Sequence, residues 1–223
     1  MAGTATLTDV EISGNAAQYG GGIHVDGDAT LTLTDSTLAN NGATSHGGAL
    51  CFDGRGTVEN CGFTENGAQY GGGIHVGNSG ALTVVGAEIV ANTASVSGGG
   101  IDVGGDATLT LTDSLVDGNK ATSETGGAYG GVAVAGTATL TNCAITGNVG
   151  GGAFVKQGAT ATLTACVVSE NTASGDGGGL YVKGFAELNG CEIIGNAAGY
   201  GGGLSVFGSA TLVDCKISGN AAT

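Results

Sequence analysis

Polar and apolar positions alternate along this chain with two nested periods. In short runs such as Thr30-Leu31-Thr32-Leu33-Thr34 and Thr108-Leu109-Thr110-Leu111-Thr112 the alternation is strict, as expected of a strand that buries one face. Those runs return every 23 to 29 residues, and each return is marked by an asparagine: Asn15, Asn41, Asn66, Asn92, Asn119, Asn148, Asn171, Asn196 and Asn220. The residue three before each is apolar (Ile12, Leu38, Phe63, Ile89, Val116, Ile145, Val168, Ile193, Ile217), and so is the residue eight before (Leu7, Leu33, Val58, Val84, Leu111, Leu140, Leu163, Leu188, Leu212). A period of this length carried from end to end predicts a solenoid in which each repeat packs only on its neighbours.

Two corners are legible within each repeat. Six before the asparagine stand Asp9, Asp35, Asn60, Asp113, Asn142 and Asp214, short side chains that bond their own backbone in turns. After the asparagine comes a loop of variable length, then a glycine cluster and a second alternating run, as in Gly71-Gly72-Gly73-Ile74-His75-Val76. Glycines there allow positive φ and close backbone approach at a tight bend. Each coil therefore supplies three short strands. Stacked, they predict an all-β, single-stranded, right-handed parallel β-helix of about nine coils with three short parallel sheets, about 40 Å long at the ordinary strand spacing. The asparagines, each carrying donor and acceptor, predict an internal ladder of stacked amides at a buried bend. Residues 1–223 read as one β-solenoid domain, and because the chain starts and stops in mid-repeat, a segment of a longer repeat protein is expected.

Composition narrows the function classes. Glycine accounts for 48 residues and proline for none, with 41% apolar and 11% charged residues, so the chain can bury a core and is not collagen-like. The five basic residues, against 19 acidic ones and a net charge of −14, are too few and too scattered to track a phosphate backbone. Nucleic acid is therefore not an expected partner. Direct membrane insertion is not expected either, since no apolar run of about 18 residues occurs.

The pairing of glycine clusters (Gly47-Gly48-Ala49-Leu50 and its relatives) with Phe63-Thr64-Glu65-Asn66 and its relatives resembles the GGA(I/L/V) and FxxN repeats of the polymorphic outer-membrane protein family. It is also similar to right-handed β-helix repeat proteins of bacterial and algal surfaces. The resemblance covers the whole chain and implies an exposed, adhesive repeat region in an extracellular or cell-surface setting. The barrel that follows the repeats in that family has no counterpart here.

The most regular outward column lies nine before the asparagine, where eight of nine residues are threonine: Thr6, Thr32, Thr57, Thr83, Thr110, Thr139, Thr162 and Thr211, with Glu187 the exception. Flanking columns hold Thr8, Thr34, Thr112, Thr141 and Thr164 on one side and Thr4, Thr30, Thr108, Thr137 and Thr160 on the other. One sheet should thus carry parallel files of hydroxyls and methyls, about 4.8 Å apart across strands and about 6.6 Å along them. Such a face resembles the TxT surface of β-solenoid antifreeze proteins. High β-propensity alone also places threonine on exposed strands. Against that, the outward positions four before the asparagine are mixed, including Glu11, Gly62, Leu115, Ala144 and Lys216. The expected partner is a repetitive surface, either a cell-surface or matrix polymer or ice, with end-to-end self-association as a further possibility.

Cys61, Cys143, Cys166, Cys191 and Cys215 sit five before the column asparagine, where other coils have Val10, Ser36, Ala87 and Ser114. They read as small buried residues. Stacked side chains point the same way, which makes a disulfide torsion awkward, so free thiols are expected and bridges between adjacent coils are the alternative. Cys51 falls instead in an outward file with His24, His75 and Asp102, types that could bind a metal or supply a nucleophile and base. Four residues in a row make no tetrahedron, and no dedicated metal centre or cofactor is expected. Tyr19, Tyr70 and Tyr200 should pack over the glycine bends. Asp26, Asp28, Asp53 and Asp106 read as solvated loop charge rather than a calcium motif. With no tryptophan and no matched carboxylate columns, the leading reading is a non-catalytic adhesive or structural module; ice binding is the alternative, and a polysaccharide-processing enzyme is a distant third.

Overall fold

The computed structural model describes residues 3–122 and 129–222. Every strand pairing in it is parallel and joins one repeat to the next, so the chain winds as a solenoid. The first sheet has nine strands, from Thr4–Thr8 through Thr108–Thr112 to Ser209–Val213, and the second has nine three-residue strands, from Glu11–Ser13 to Lys216–Ser218. An eight-stranded sheet runs from Ile23–Val25 to Leu204–Val206 after the glycine bends. These are the three expected sheets, and they make eight full turns and part of a ninth.

A further sheet forms where a variable loop was expected. The stretches just after the asparagine pair as strands, among them Gly42–His46, Gly67–Tyr70 and Thr93–Ser97. Single bridges Lys120–Val149, Val149–Thr172 and Thr172–Ala197 carry the line to a final pair, Ala197–Ala198 with Ala221–Ala222. Backbone stacking produces these strands, since each coil's first amide reaches down one coil, as Gly42 N does to Asn15 O at 2.8 Å. No alternation of side chains is needed for that, and register shifts between Ala68 and Tyr70 show that side chains do not set it.

The core is the space between sheets. Leu33, Val58, Val84, Leu111 and Leu188 from the first sheet meet Leu38, Phe63, Ile89, Val116 and Ile193 from the second, all fully buried, with Leu50, Ile74, Ile101 and Leu180 closing the third side. Burial of full aliphatic side chains is the dominant favourable contribution, roughly 1.5–3 kcal/mol each. Only the terminal coils break the pattern: Ile217 is 48% exposed because no coil covers it among the described residues.

The corners are left-handed in every coil. At the position six before the asparagine, φ lies between 49° and 63°, at Asp35, Asn60, Gly86, Asp113, Ala165 and their equivalents. The residue immediately before each asparagine adopts the same region, as Asn40, Glu65 and Gly118 show. Asparagine, aspartate and glycine tolerate it, which is why the corner chemistry was readable. At the glycine bend, Gly71 has φ 62°, and a Cβ on Gly72 would collide with the carbonyl oxygens of Gly99 and Thr93. Two stacked coils come that close only without side chains.

Behind the second corner stands the asparagine ladder. Asn41, Asn66, Asn92, Asn119, Asn148, Asn171 and Asn196 are at most 1% exposed. Each Nδ2 donates to the Oδ1 one coil on, at 2.9 to 3.1 Å. Its second hydrogen goes back one coil to a main-chain carbonyl, as Asn119 Nδ2 does to Ile89 O at 2.8 Å. Each Oδ1 also accepts the backbone N–H of the previous asparagine, as Asn119 Oδ1 does from Asn92 N at 2.9 Å. Every polar atom of the amide is satisfied, so the ladder stitches side chain and main chain together.

Candidate functional site

The threonine face forms as expected. Thr108↔Thr137↔Thr160, Thr110↔Thr139↔Thr162 and Thr112↔Thr141↔Thr164 pair in register, which gives nine threonines in a three-by-three block. Thr4, Thr6 and Thr8 pair likewise with Thr30, Thr32 and Thr34. Between these blocks only Thr57 and Thr83 keep the central file, flanked by Arg55, Glu59, Ala81 and Val85. Beyond the larger block the lattice ends at Phe185, Glu187 and Asn189. Among the described residues, none of the nine hydroxyls in the block bonds another protein group, so each is free for water or a ligand.

The cysteine column is unbridged and buried except at Cys215 in the last coil, which is partly exposed. Cys61, Cys143, Cys166 and Cys191 are at most 2% exposed, and all six cysteines are free thiols. Each column thiol faces the carbonyl two residues back, as Cys143 Sγ does Thr141 O at 3.2 Å, the place Ser36 and Ser114 fill with Oγ–H donors at 2.6 and 2.7 Å. Hydrogen bonding with Cys143, and burial after it, push the Cys166 thiol up to about 11 against the opposing effect of the link to Cys191. The bond with Cys166 and burial push Cys191 up further.

The file expected to be exposed, His24, Cys51, His75 and Asp102, is in register but mostly buried: Cys51 is 2% exposed, Asp102 5% and His75 9%. The covering comes from the post-asparagine strands. His46 stacks between Tyr19 and Tyr70 at ring distances of 5.7 and 5.0 Å and lies 4.4 Å from the His75 ring. Nor do the four file members form one ligand set. Asp102 Oδ2 accepts from His75 Nδ1 at 3.0 Å, whereas the ligand atoms of His24, Cys51 and Asp53 all lie within 4.8 Å of one another. Asp53, read from sequence as solvated loop charge, thus belongs to the cluster, while Asp26, Asp28 and Asp106 are exposed as expected. Sequence reasoning missed His46 and Asp53. The available signal was that His24, His46 and His75, the only histidines of the chain, fall in three neighbouring coils.

A cavity of about 380 Å³ opens over this cluster, lined by Tyr19, His24, His46, Cys51, Asp53, His75, Gly77 and Asn78. Burial, with a smaller contribution from Asp53, pushes the Cys51 thiol up to about 12, the opposite of an activated nucleophile. Burial and then the neighbouring His75 lower His46, which leaves its imidazole neutral near pH 7. Further along the rod the same outward file turns aromatic at Phe154 and Tyr181, 5.2 Å apart, with Tyr129 from the neighbouring glycine bend stacked on Phe154 at 3.6 Å and Lys183 Nζ 4.9 Å over the Tyr181 ring. Of the three tyrosines expected over the bends, Tyr19 and Tyr70 clasp His46. Tyr200 is 73% exposed and stacks on no ring among the described residues.

A family model described as the right-handed beta helix region matches residues 1–160 and again 73–223, so the two overlapping matches span the chain. No curated protein and no solved structure gives a match.

Proposed function

The chain belongs to the right-handed β-helix family, and we propose that it works there as a non-catalytic adhesive or structural module, extracellular or displayed on a cell surface. Its partner in this reading is a repetitive polymer of the cell surface or matrix, held on the threonine face. The observation that carries it is the block from Thr108 to Thr164, nine hydroxyls in register on three adjacent strands with no protein partners. A periodic array of this kind suits a ligand with its own repeat, since many weak contacts add through multivalency. The resemblance of the Gly-Gly and FxxN repeats to polymorphic outer-membrane proteins supports the surface setting. The family also includes polysaccharide-processing enzymes, and one feature favours the non-catalytic side here: burial holds the thiol of Cys51, the one cysteine beside histidines, well above its ordinary value.

The test is binding of the purified chain to immobilised cell-wall and matrix polysaccharides, compared with Thr110→Lys and Thr139→Lys. Loss of retention in both variants, with the melting temperature unchanged, supports the reading; equal retention removes it. Ice is the second candidate, favoured by the two-dimensional spacing of the same block, about 4.8 by 6.6 Å. Thermal hysteresis abolished by the same lysine variants would select ice over a polymer. End-to-end association of rods belongs to the proposal as well, supported by Ile217, an inward-column residue of the last described coil that is 48% exposed. Sedimentation should then show concentration-dependent association that Ile217→Lys reduces.

A further inference from the structure

We propose that the cavity over the first coils is a binding site for a transition-metal ion of the Zn²⁺ class, held by His24, Cys51 and Asp53. The donor set is the first argument. One imidazole, one thiol sulfur and one carboxylate, from two adjacent coils, place their ligand atoms within 4.8 Å of one another. That spread is what a tetrahedral ion with bonds of about 2.0–2.3 Å requires of three ligands after small rotamer adjustments. Sulfur and imidazole donors select zinc-like ions over calcium or magnesium, which take oxygen.

The surroundings add an independent argument. Gly77 forms the floor of the cavity, and a Cβ there would stand 2.7 Å from both Asp53 Oδ1 and His75 Nε2. These two atoms therefore converge on space that only glycine leaves open. His75 is fixed from behind: its Nδ1–H donates to Asp102 Oδ2 at 3.0 Å, which leaves the Nε2 lone pair turned to the cavity. A carboxylate behind an imidazole is the arrangement that orients histidines at metal centres. Asp102 is 5% exposed and its Oδ1 has no partner among the described residues, a cost with no structural return in a plain solenoid coil. The equivalent slots further along the rod hold Ala133, Phe154, Tyr181 and Ser205, so in this file the histidine, cysteine and carboxylate side chains are confined to these coils. His24, Cys51 and Asp53 supply three ligands, and the cavity over them leaves room for water as the fourth.

The experiment is titration of the full chain with Zn²⁺ against a chromophoric chelator, and with Co²⁺ followed by absorption. One equivalent of Zn²⁺ per chain is expected, with a Co²⁺ spectrum showing the thiolate charge-transfer band and the intense d–d bands of four-coordination. Cys51→Ala, Asp53→Asn and His24→Gln should each weaken binding at least tenfold, while Cys215→Ala, in the other cysteine column, should leave it unchanged. Gly77→Ala, where only side-chain tips must move, should weaken binding with the melting temperature retained. If Cys51→Ala fails to fold, the substitutions at the exposed His24 and half-buried Asp53 decide the matter. Absence of stoichiometric binding, or binding undiminished by Asp53→Asn and His24→Gln, overturns the proposal.

Discussion

Replacing Asn119 with alanine should be among the most damaging single changes in the rod. The side chain is 0% exposed and makes four hydrogen bonds: Nδ2 to Ile89 O at 2.8 Å and to Asn148 Oδ1 at 3.1 Å, and Oδ1 from Asn92 N at 2.9 Å and Asn92 Nδ2 at 3.0 Å. Alanine leaves two donors of Asn92, one of them main-chain, without a partner and out of reach of bulk water. An unsatisfied buried group costs about 1–3 kcal/mol, so the pair places the loss at roughly 2–6 kcal/mol. Asn15→Ala is the internal control. Asn15 is exposed, and its side chain makes one bond, to Asn41 Oδ1, which keeps its bond from the Asn15 backbone. About 0.5–1 kcal/mol is expected there. Asn119→Asp tests direction: the carboxylate has no hydrogens for Ile89 O or Asn148 Oδ1, so it should cost at least as much as alanine. Urea unfolding followed by circular dichroism measures all three, with hydrogen exchange locating the loosened coils. Equal stability of Asn119→Ala and Asn15→Ala, or an Asn119→Asp variant as stable as the parent chain, would refute the reasoning.

Three further outcomes follow from the same geometry. Gly99→Ala should collapse local stacking, because its Cβ would sit 2.5 and 2.6 Å from the carbonyl oxygens of Gly130 and Lys120, whereas Gly105→Ala, with open space around it, should leave the melting temperature within a degree or two. Ala165 holds φ 52° where other coils use aspartate, asparagine or glycine, so Ala165→Asn should raise stability by about 0.5–1 kcal/mol in denaturant titration. Stability should also fall on the alkaline side. The unfolded Cys166 thiol loses its proton near 9 while the folded one holds it to about 11, so above pH 9 this group binds more protons in the native state and its contribution to stability drops as pH rises, with Cys143, lowered by the same bond, offsetting part of the fall. Melting curves from pH 8 to 11 would show this, and Cys166→Ser combined with Cys191→Ser, matching Ser36 and Ser114 in the same column, should flatten the decline.

The parts of the molecule that repeat were legible because each follows from a local rule applied nine times. Leu33 and Leu111 face inward because alternation admits one buried face. Asp35 and Asn60 mark a left-handed corner because few side chains tolerate it, and the asparagine column can be satisfied only by another asparagine one coil away. The threonine files follow from the same register. What sequence alone left undetermined lies in the stretches that do not repeat. Gly42–His46 and Gly67–Tyr70 differ in length and carry no alternation, so nothing local marks them as strands; stacking of their backbones on the coil below makes them so. Their folding back is what buries Cys51 and His75, brings His46 between two tyrosines and leaves Asp53 beside His24. Periodic order is encoded by near neighbours in the chain, whereas the cluster exists only where three coils with different loops come to lie side by side, and that placement is decided by the assembled rod.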